Sequence, residues 1–305
     1  ILSFVILGVL KLFYDTFKAL FKKPKTISGK ICLVTGTGRG LGRGLAVKLA
    51  NLGATVVCVD IRENANNETV KIIKESGGTA YGYTCNVAKH EEVIKLAETV
   101  QKEVGRVYLL LNNAGLVMVH NAGEWLPEEV TSMFSVNTMS HCWMMQAFLP
   151  VMKEHNEGHI ANVISITSFF PMPAISVYGA TKAASDYLLC ALRMELNFNK
   201  DNKIIVSGIY PCIINTSDDI DYLFGKGNID ILETEEAVEQ IIEGIRCDKT
   251  TIVVPNYVLP FMSMARFLPE FLLIKIFALL NICVNIPSGK YKEKMPFYEI
   301  LHKCK

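Results

Sequence analysis

Tyr178 and Lys182 are the residues of this 305-residue chain with the clearest chemical use. They stand four apart in Tyr178-Gly-Ala-Thr-Lys182, at the start of a helical segment, and that spacing puts both on one helix face. A free tyrosine titrates near 10 and is a poor base at neutral pH. An ammonium beside it stabilises the phenolate and brings that value down. The pair could then move a proton to or from a hydroxyl oxygen. Ser165, near the carboxyl end of the apolar run 160–165, is placed to hold the same oxygen by a hydrogen bond. Alone, a Tyr–Lys pair at this spacing is an ordinary solvated helix face, so the assignment depends on its surroundings.

The surroundings begin with Thr35-Gly36-Thr37-Gly38-Arg39-Gly40-Leu41-Gly42. It follows the apolar run 31–34 and opens an apolar-periodic segment, which reads as strand, glycine-rich turn, helix. Glycines there let the backbone turn tightly and approach a pyrophosphate, while the helix start at Leu41 offers unpaired N–H groups and a partial positive charge. The next apolar run, Thr55 to Val59, ends in Asp60, where a dinucleotide fold places the carboxylate that receives a ribose hydroxyl. A bound nicotinamide would complete the chemistry: hydride leaves the carbon while Tyr178 takes the proton.

Strands are predicted near 31–35, 55–59, 79–83, 107–111, 160–165, 203–209 and 251–254. Helices are predicted near 41–52, 65–76, 90–104, 128–153, 176–198 and 234–246. This alternation implies an α/β fold, a Rossmann-type doubly wound parallel sheet with ligands at the carboxyl ends of its strands. No linker interrupts 28–256, so one domain is expected there. Asn86 and Val87 end the third strand, and Asn86 is placed either to meet an adenine edge or to cap the following helix. The turn after the fourth strand, Asn112-Asn113-Ala114-Gly115, has the small and amide side chains that let backbone bend beside a flat ligand. The net charge of +1 gives no reason to expect nucleic acid. Nine scattered cysteines without a CxxC read as buried thiols in a reducing compartment. His155 and His159 are four apart, but Gly158 lies between them and no third ligand follows, so no metal site is expected.

The glycine-rich turn, Asn112-Asn-Ala-Gly115, Asn137, Ser165 and Tyr178-x-x-x-Lys182 together resemble the short-chain dehydrogenase/reductase family over about residues 28–255. The resemblance implies Tyr178 as general acid/base, Lys182 as its pKa-lowering partner and ribose ligand, Ser165 as orienter of the substrate oxygen, and Asn137 as holder of a proton-relaying water. It also implies cofactor contacts from Gly36, Arg39, Gly40, Leu41, Gly42, Asp60, Asn113, Ala114 and Gly115. Pro211, Ile214 and Thr216 resemble the segment that meets the nicotinamide carboxamide. The chain departs from the family pattern at Cys212, where a glycine is usual, and at Asn86, where an aspartate is usual. Asp60 would repel a 2′-phosphate and so favours NAD, while Arg39 and Arg62 pull toward NADP. NAD is the expectation.

The ends of the chain differ from the middle. Residues 1–21 are strongly apolar, with Lys11, Asp15 and Lys18 on one helix face, and Lys22, Lys23 and Lys25 follow around Pro24. That pattern suits an anchor (residues 1–25) lying in or half-inserted into a membrane, or else a helix docked on the protein body. The stretch from 257 to 305 opens with apolar pieces separated by Pro260 and Pro269. It suits a cover over the substrate site that touches the membrane, or helices packed on the core. These features resemble the membrane-associated 16C group of the family. They imply a lipophilic alcohol such as a retinol or a 17β-hydroxysteroid, a homodimer, and the cytoplasmic face of endoplasmic reticulum or lipid droplets. Two other readings remain: an NADPH-dependent carbonyl reductase, and a catalytically silent lipid-surface binding protein.

Overall fold

Seven strands form one parallel sheet: β1 (Ile31–Thr35), β2 (Thr55–Asp60), β3 (Thr79–Thr84), β4 (Val107–Asn112), β5 (Gly158–Val163), β6 (Ile204–Pro211) and β9 (Thr251–Val254). The structure is a computed structural model, and it describes residues 23–216, 231–265, 267–279, 283–285 and 294–296. The strand order is β3-β2-β1-β4-β5-β6-β9. The chain winds outward from β1 to β3, then crosses back to β4 and winds the other way. The crevice at that reversal, at the carboxyl ends of β1 and β4, is where a doubly wound sheet binds its ligand. Two short strands, β7 (Ile214–Asn215) and β8 (Leu232–Glu233), pair with each other beyond β6.

Helices α1 (Gly40–Asn51), α2 (Glu63–Glu75), α3 (His90–Glu103), α4 (Pro127–Phe134), α5 (Ser140–His155), α6 (Ser176–Asn197) and α7 (Thr234–Arg246) connect the strands. Leu45 and Leu49 of α1, Ile73 of α2 and Ile241 of α7 bury one face of the sheet. Val93 and Leu96 of α3, Met144 and Phe148 of α5, and Leu189 of α6 bury the other. With both faces covered, the central strands can be apolar throughout, as in Leu109-Leu-Leu111.

Three differences from the sequence expectation have physical causes. The helix predicted over 128–153 is two helices joined by a π-helical turn, Ser135–Met139, at Asn137. Apolar periodicity does not register one extra residue in a turn. The β5 strand ends at Val163, so Ser165 lies past it and caps a short 3-10 turn, Ile166–Ser168. Pro260 does not break the C-terminal stretch. It sits in the first turn of α8 (Leu259–Ala265), where a missing N–H costs nothing, and Pro269 precedes α9 (Glu270–Leu279).

The α8 helix packs Phe261, Met262 and Ala265 against the loop that follows Ser165, and the Phe170 and Phe261 rings meet edge-on at 5.7 Å. Its outer side, the turn after it and α9 leave Leu259, Met264, Phe267 and Phe271 exposed. Beyond them β10 (Cys283–Asn285) pairs antiparallel with β11 (Lys294–Pro296). No helix among the described residues is long and apolar enough to cross a membrane. The expected anchor, apart from Lys23 to Lys25, lies outside the described residues.

Lys25 itself is no lipid-facing cation. Its backbone pairs with Arg246, and its ammonium reaches Tyr108 Oη at 2.8 Å, His159 Nδ1 at 3.2 Å and Asp248 Oδ1 at 2.5 Å. This network fastens the incoming chain to the amino edge of the sheet, the edge opposite the crevice. It also accounts for His159, whose Nε2 meets Ser207 Oγ at 2.7 Å, while His155 turns away to the Val151 carbonyl.

Candidate active site

The glycine-rich turn is built by close approach. Gly36 and Gly40 adopt φ of +74° and +53°, which other residues rarely take. Gly42 lies so near the preceding turn that an added Cβ would stand 2.0 Å from the Gly36 carbonyl oxygen. Neither atom can yield without opening the turn. Gly42→Ala is therefore expected to lower stability by about 1–3 kcal/mol through overpacking. A thermal melt showing an unchanged Tm would refute that.

Thr35 ties this turn to the next one. Its hydroxyl accepts from the N–H groups of Asn113 and Ala114, both at 3.0 Å, and Asn113 Nδ2 donates to the Thr35 carbonyl at 2.8 Å. An added Cβ on Gly36 would touch Ala114 Cα at 3.0 Å. So β1 and β4 carry Gly36, Asn113, Ala114 and Gly115 into one wall of the crevice. Thr216 closes it from the β7 side, 3.2 Å from the place a Gly40 Cβ would occupy. Pro211 ends β6 beside this wall, and Ile214 is buried beneath it.

Asp60 sits at the carboxyl end of β2, almost fully buried. Its Oδ2 accepts from the Gly38 N–H and its Oδ1 from the Arg62 N–H, each at 2.8 Å, which locks the carboxylate. Arg62 folds its half-exposed guanidinium back to 3.4 Å from the same Oδ1. Arg39 is exposed at the start of α1. Asn86 is a turn residue: its Oδ1 accepts from the Ala88 N–H at 3.1 Å, and its own N–H donates to Glu92 at 2.8 Å. It does not cap the following helix, whose N-cap is Lys89. Val87 is buried at its side.

The four chemical residues converge at the carboxyl ends of β4 and β5. Asn137 is fully buried in the π turn, where its Oδ1 accepts from the Leu116 N–H at 2.7 Å. Its Nδ2 donates to the Leu116 carbonyl at 2.8 Å and to Thr181 Oγ1 at 3.0 Å. Both N–H bonds of the amide are used in this clamp, and the oxygen keeps one lone pair. Lys182 Nζ donates to the Val163 carbonyl at 2.9 Å and stands 5.7 Å from the centre of the Tyr178 ring. An added Cβ on Gly115 would be 3.3 Å from Asn137 Oδ1 and 3.5 Å from Lys182 Nζ, which places the β4 turn directly against both. Ser165 hydrogen-bonds the Tyr178 hydroxyl.

Burial decides the resting protonation. It holds the Lys182 ammonium down at about 8 and pushes the Tyr178 hydroxyl up to about 12, against the downward pull of the Ser165 hydrogen bond. The tyrosine is thus an acid at rest. Cys212 is half-buried, and burial pushes its thiol to about 11, so it stays protonated beside the crevice.

Residues 30–221 match the short chain dehydrogenase family. The chain belongs to the short-chain dehydrogenase/reductase family. Over 291 residues it is 32% identical to human 17-beta-hydroxysteroid dehydrogenase 13, covering 92% of this chain and 94% of that one. It is 35% identical over 254 residues to human epidermal retinol dehydrogenase 2, covering 82% of each. Against mouse estradiol 17-beta-dehydrogenase 11 the identity is 33% over 273 residues, covering 90% of this chain and 91% of the relative. A short-chain dehydrogenase/reductase from Burkholderia phymatum in complex with NAD shares the fold, with a TM-score of 0.70 and 24% identity over 78% of this chain and 93% of its own. The short-chain dehydrogenase/reductase assignment makes the chain an oxidoreductase acting on alcohols.

Thr35 and Thr181 stand in the sequence motifs without a role assigned to them, and Arg43 stands outside those assignments. Arg43 donates to the Gly38 carbonyl at 2.7 Å and to Thr69 Oγ1 at 3.0 Å, bracing the turn from behind. Each bonds across a large sequence separation, and a single sequence carries no signal for that.

Proposed function

We propose that this short-chain dehydrogenase/reductase oxidises a lipophilic alcohol, retinol- or 17β-hydroxysteroid-like, with NAD as hydride acceptor. The observation that carries the proposal is the joint placement of Ser165, Tyr178, Lys182 and Asn137 beside the β1–β4 crevice. The crevice suits a dinucleotide. Its glycines leave no room for side chains, Asp60 presents a fixed carboxylate, and Lys182 spends one of its three donors on Val163, leaving others for ribose hydroxyls. When bound, NAD accepts hydride from the carbinol carbon. Ser165 and Tyr178 hold the alcohol oxygen, and Tyr178 takes its proton once Lys182 has stabilised the phenolate. Phe169, Phe170, Met172 and Phe261 form an apolar boundary to this chemistry, as a lipophilic substrate needs. The relatives named above, a hydroxysteroid and a retinol dehydrogenase, agree with that class.

The exposed outer sides of α8 and α9 are assigned to a membrane or lipid-droplet surface, on the cytoplasmic face of the endoplasmic reticulum or of droplets. Ala180, Ala183, Tyr187, Met194 and Phe198 make an exposed stripe along α6, and this stripe is assigned to a homodimer contact. Arg62 and Arg39 favour a second reading, carbonyl reduction with NADPH. The test is nucleotide reduction by purified protein in detergent, with all-trans-retinol or a 17β-hydroxysteroid and NAD or NADP. Reduction of NAD supports the proposal; turnover only with NADPH and a carbonyl overturns it.

The raised Tyr178 value sets the pH dependence. Proton abstraction needs the phenolate, whose fraction grows about tenfold per pH unit below the pKa. Alcohol oxidation should rise from pH 7 to 9, while carbonyl reduction should stay flat over the same range, because a hydroxyl near 12 remains protonated throughout. A flat kcat profile for oxidation would exclude Tyr178 as the titrating group.

A further inference from the structure

One buried polar cluster lies directly beneath the catalytic set and takes no part in the mechanism above. His141 stands one helical turn after Asn137 on α5, and Ser185 stands one turn after Lys182 on α6. The His141 Nδ1 meets Ser185 Oγ at 2.6 Å, and both side chains are fully buried. On the sheet, Asn112 of β4 and Asn162 of β5 are cross-strand partners, and Asn112 Nδ2 donates to Asn162 Oδ1 at 2.9 Å. Side chains alternate along a strand, so these asparagines share the face of Leu110 and Ile160. That is the face covered by Met144, Met145 and Phe148 of α5, the helix side that also carries His141. The α5 helix runs back along the strands, so its first turn lies over their carboxyl ends, at the level of Asn112 and Asn162.

Three atoms of this cluster are buried without a hydrogen-bond partner among the described residues: His141 Nε2, Asn112 Oδ1 and Asn162 Nδ2. Leaving such groups unpaired is costly, and buried waters form about three hydrogen bonds to groups of this kind. The set is complementary to one water. Asn162 donates, Asn112 accepts, and the imidazole does either according to its tautomer.

Resting on the assignment of Lys182 above, we propose that His141, Asn112 and Asn162 bind one internal water, and that His141, held by it and by Ser185, is a positioning residue that sets the polarity behind Lys182. The cluster would solvate the buried ammonium from the side away from the cofactor. The imidazole suits this because burial, helped by the Lys182 charge, brings it to about 3 and keeps it neutral. Other titratable groups on the surrounding elements are Tyr178 and Asp186 of α6, the latter accepting from Tyr210 Oη of β6 at 2.7 Å, and His90 of α3, whose ring lies against Trp143 of α5. On this face β4 and β5 present the two asparagines and no titratable group.

Two measurements test this without turnover. A high-resolution crystal structure of the full chain should show a water within hydrogen-bond reach of all three atoms; its absence overturns the proposal. NMR titration of carbon-13-labelled lysine should show the Lys182 value falling by about 0.5 pH unit in His141→Leu, because an apolar neighbour disfavours the charge. His141→Gln should restore it. A purely structural His141 would lower stability in both variants and leave the Lys182 titration unmoved, and that result would also overturn the proposal. If the wild-type chain oxidised no alcohol, the functional reading would fail while the titration still decided this one.

Discussion

Tyr178→Phe should lose turnover by about 10²–10⁴-fold, the range that a positioned acid–base group supplies, while nucleotide binding stays within a few-fold of the wild type. The substitution removes one oxygen and keeps the ring. The hydroxyl is the acid–base group brought against Ser165 among the described residues, and burial has already raised it to about 12. Folding should not suffer, since the lost atom is a polar group in a desolvated place and Ser165 Oγ keeps its bond from the Thr167 N–H at 3.2 Å. Steady-state kinetics with NAD and an alcohol, set beside a fluorescence titration of the nucleotide, separates chemistry from binding. Turnover above a tenth of wild type would remove Tyr178 from the mechanism. Lys182→Met makes an informative contrast. It should weaken nucleotide binding as well as rate, because Lys182 is assigned to the ribose and to the phenolate at once.

The sheet and its helices were readable because their signals are local. Apolar runs ending in Asp60 and Asn112, and helices opening at glycine or proline, repeat within windows of ten to fifteen residues. The candidate site was readable for a different reason: Asn137, Ser165, Tyr178 and Lys182 carry residue types and spacings that one family uses. What stayed hidden depends on contacts across the fold. The π turn at Asn137 changes no apolar period. Asn86 reads as a helix cap in the sequence, but its oxygen meets Ala88 and Lys89 takes the cap position. Lys25 looked like part of a basic cluster because sequence records its charge and not the Tyr108, His159 and Asp248 side chains that surround it. Tyr178 shows the same limit in its energetics. The nearby lysine was legible, but the desolvation that outweighs it was not, since burial is a property of the packed chain.

Asp60→Asn should shift the ratio of kcat/KM for NAD over that for NADP by about 100-fold toward NADP. The argument begins with what the carboxylate faces. Its two oxygens accept from Gly38 and Arg62 main-chain N–H groups, so it is fixed and nearly buried at the end of β2. Asparagine keeps an acceptor for one of these bonds, so the turn should survive. The charge is lost, and with it two effects: the strong hydrogen bonds that a carboxylate makes to ribose hydroxyls, and the repulsion of a 2′-phosphate in a partly desolvated site. The same change releases Arg62, whose guanidinium lies 3.4 Å from Asp60 Oδ1 and is half-exposed at the crevice. Arg39 is already exposed at the start of α1, so two cations would then be available to a phosphate. Arg62→Ala should move the ratio the opposite way, since it strips the NADP-favouring charge and leaves Asp60 in place. Were Asp60→Asn to leave the ratio unchanged while NAD still bound, the carboxylate would be a support for the Gly38 turn alone, and cofactor choice would rest with the arginines.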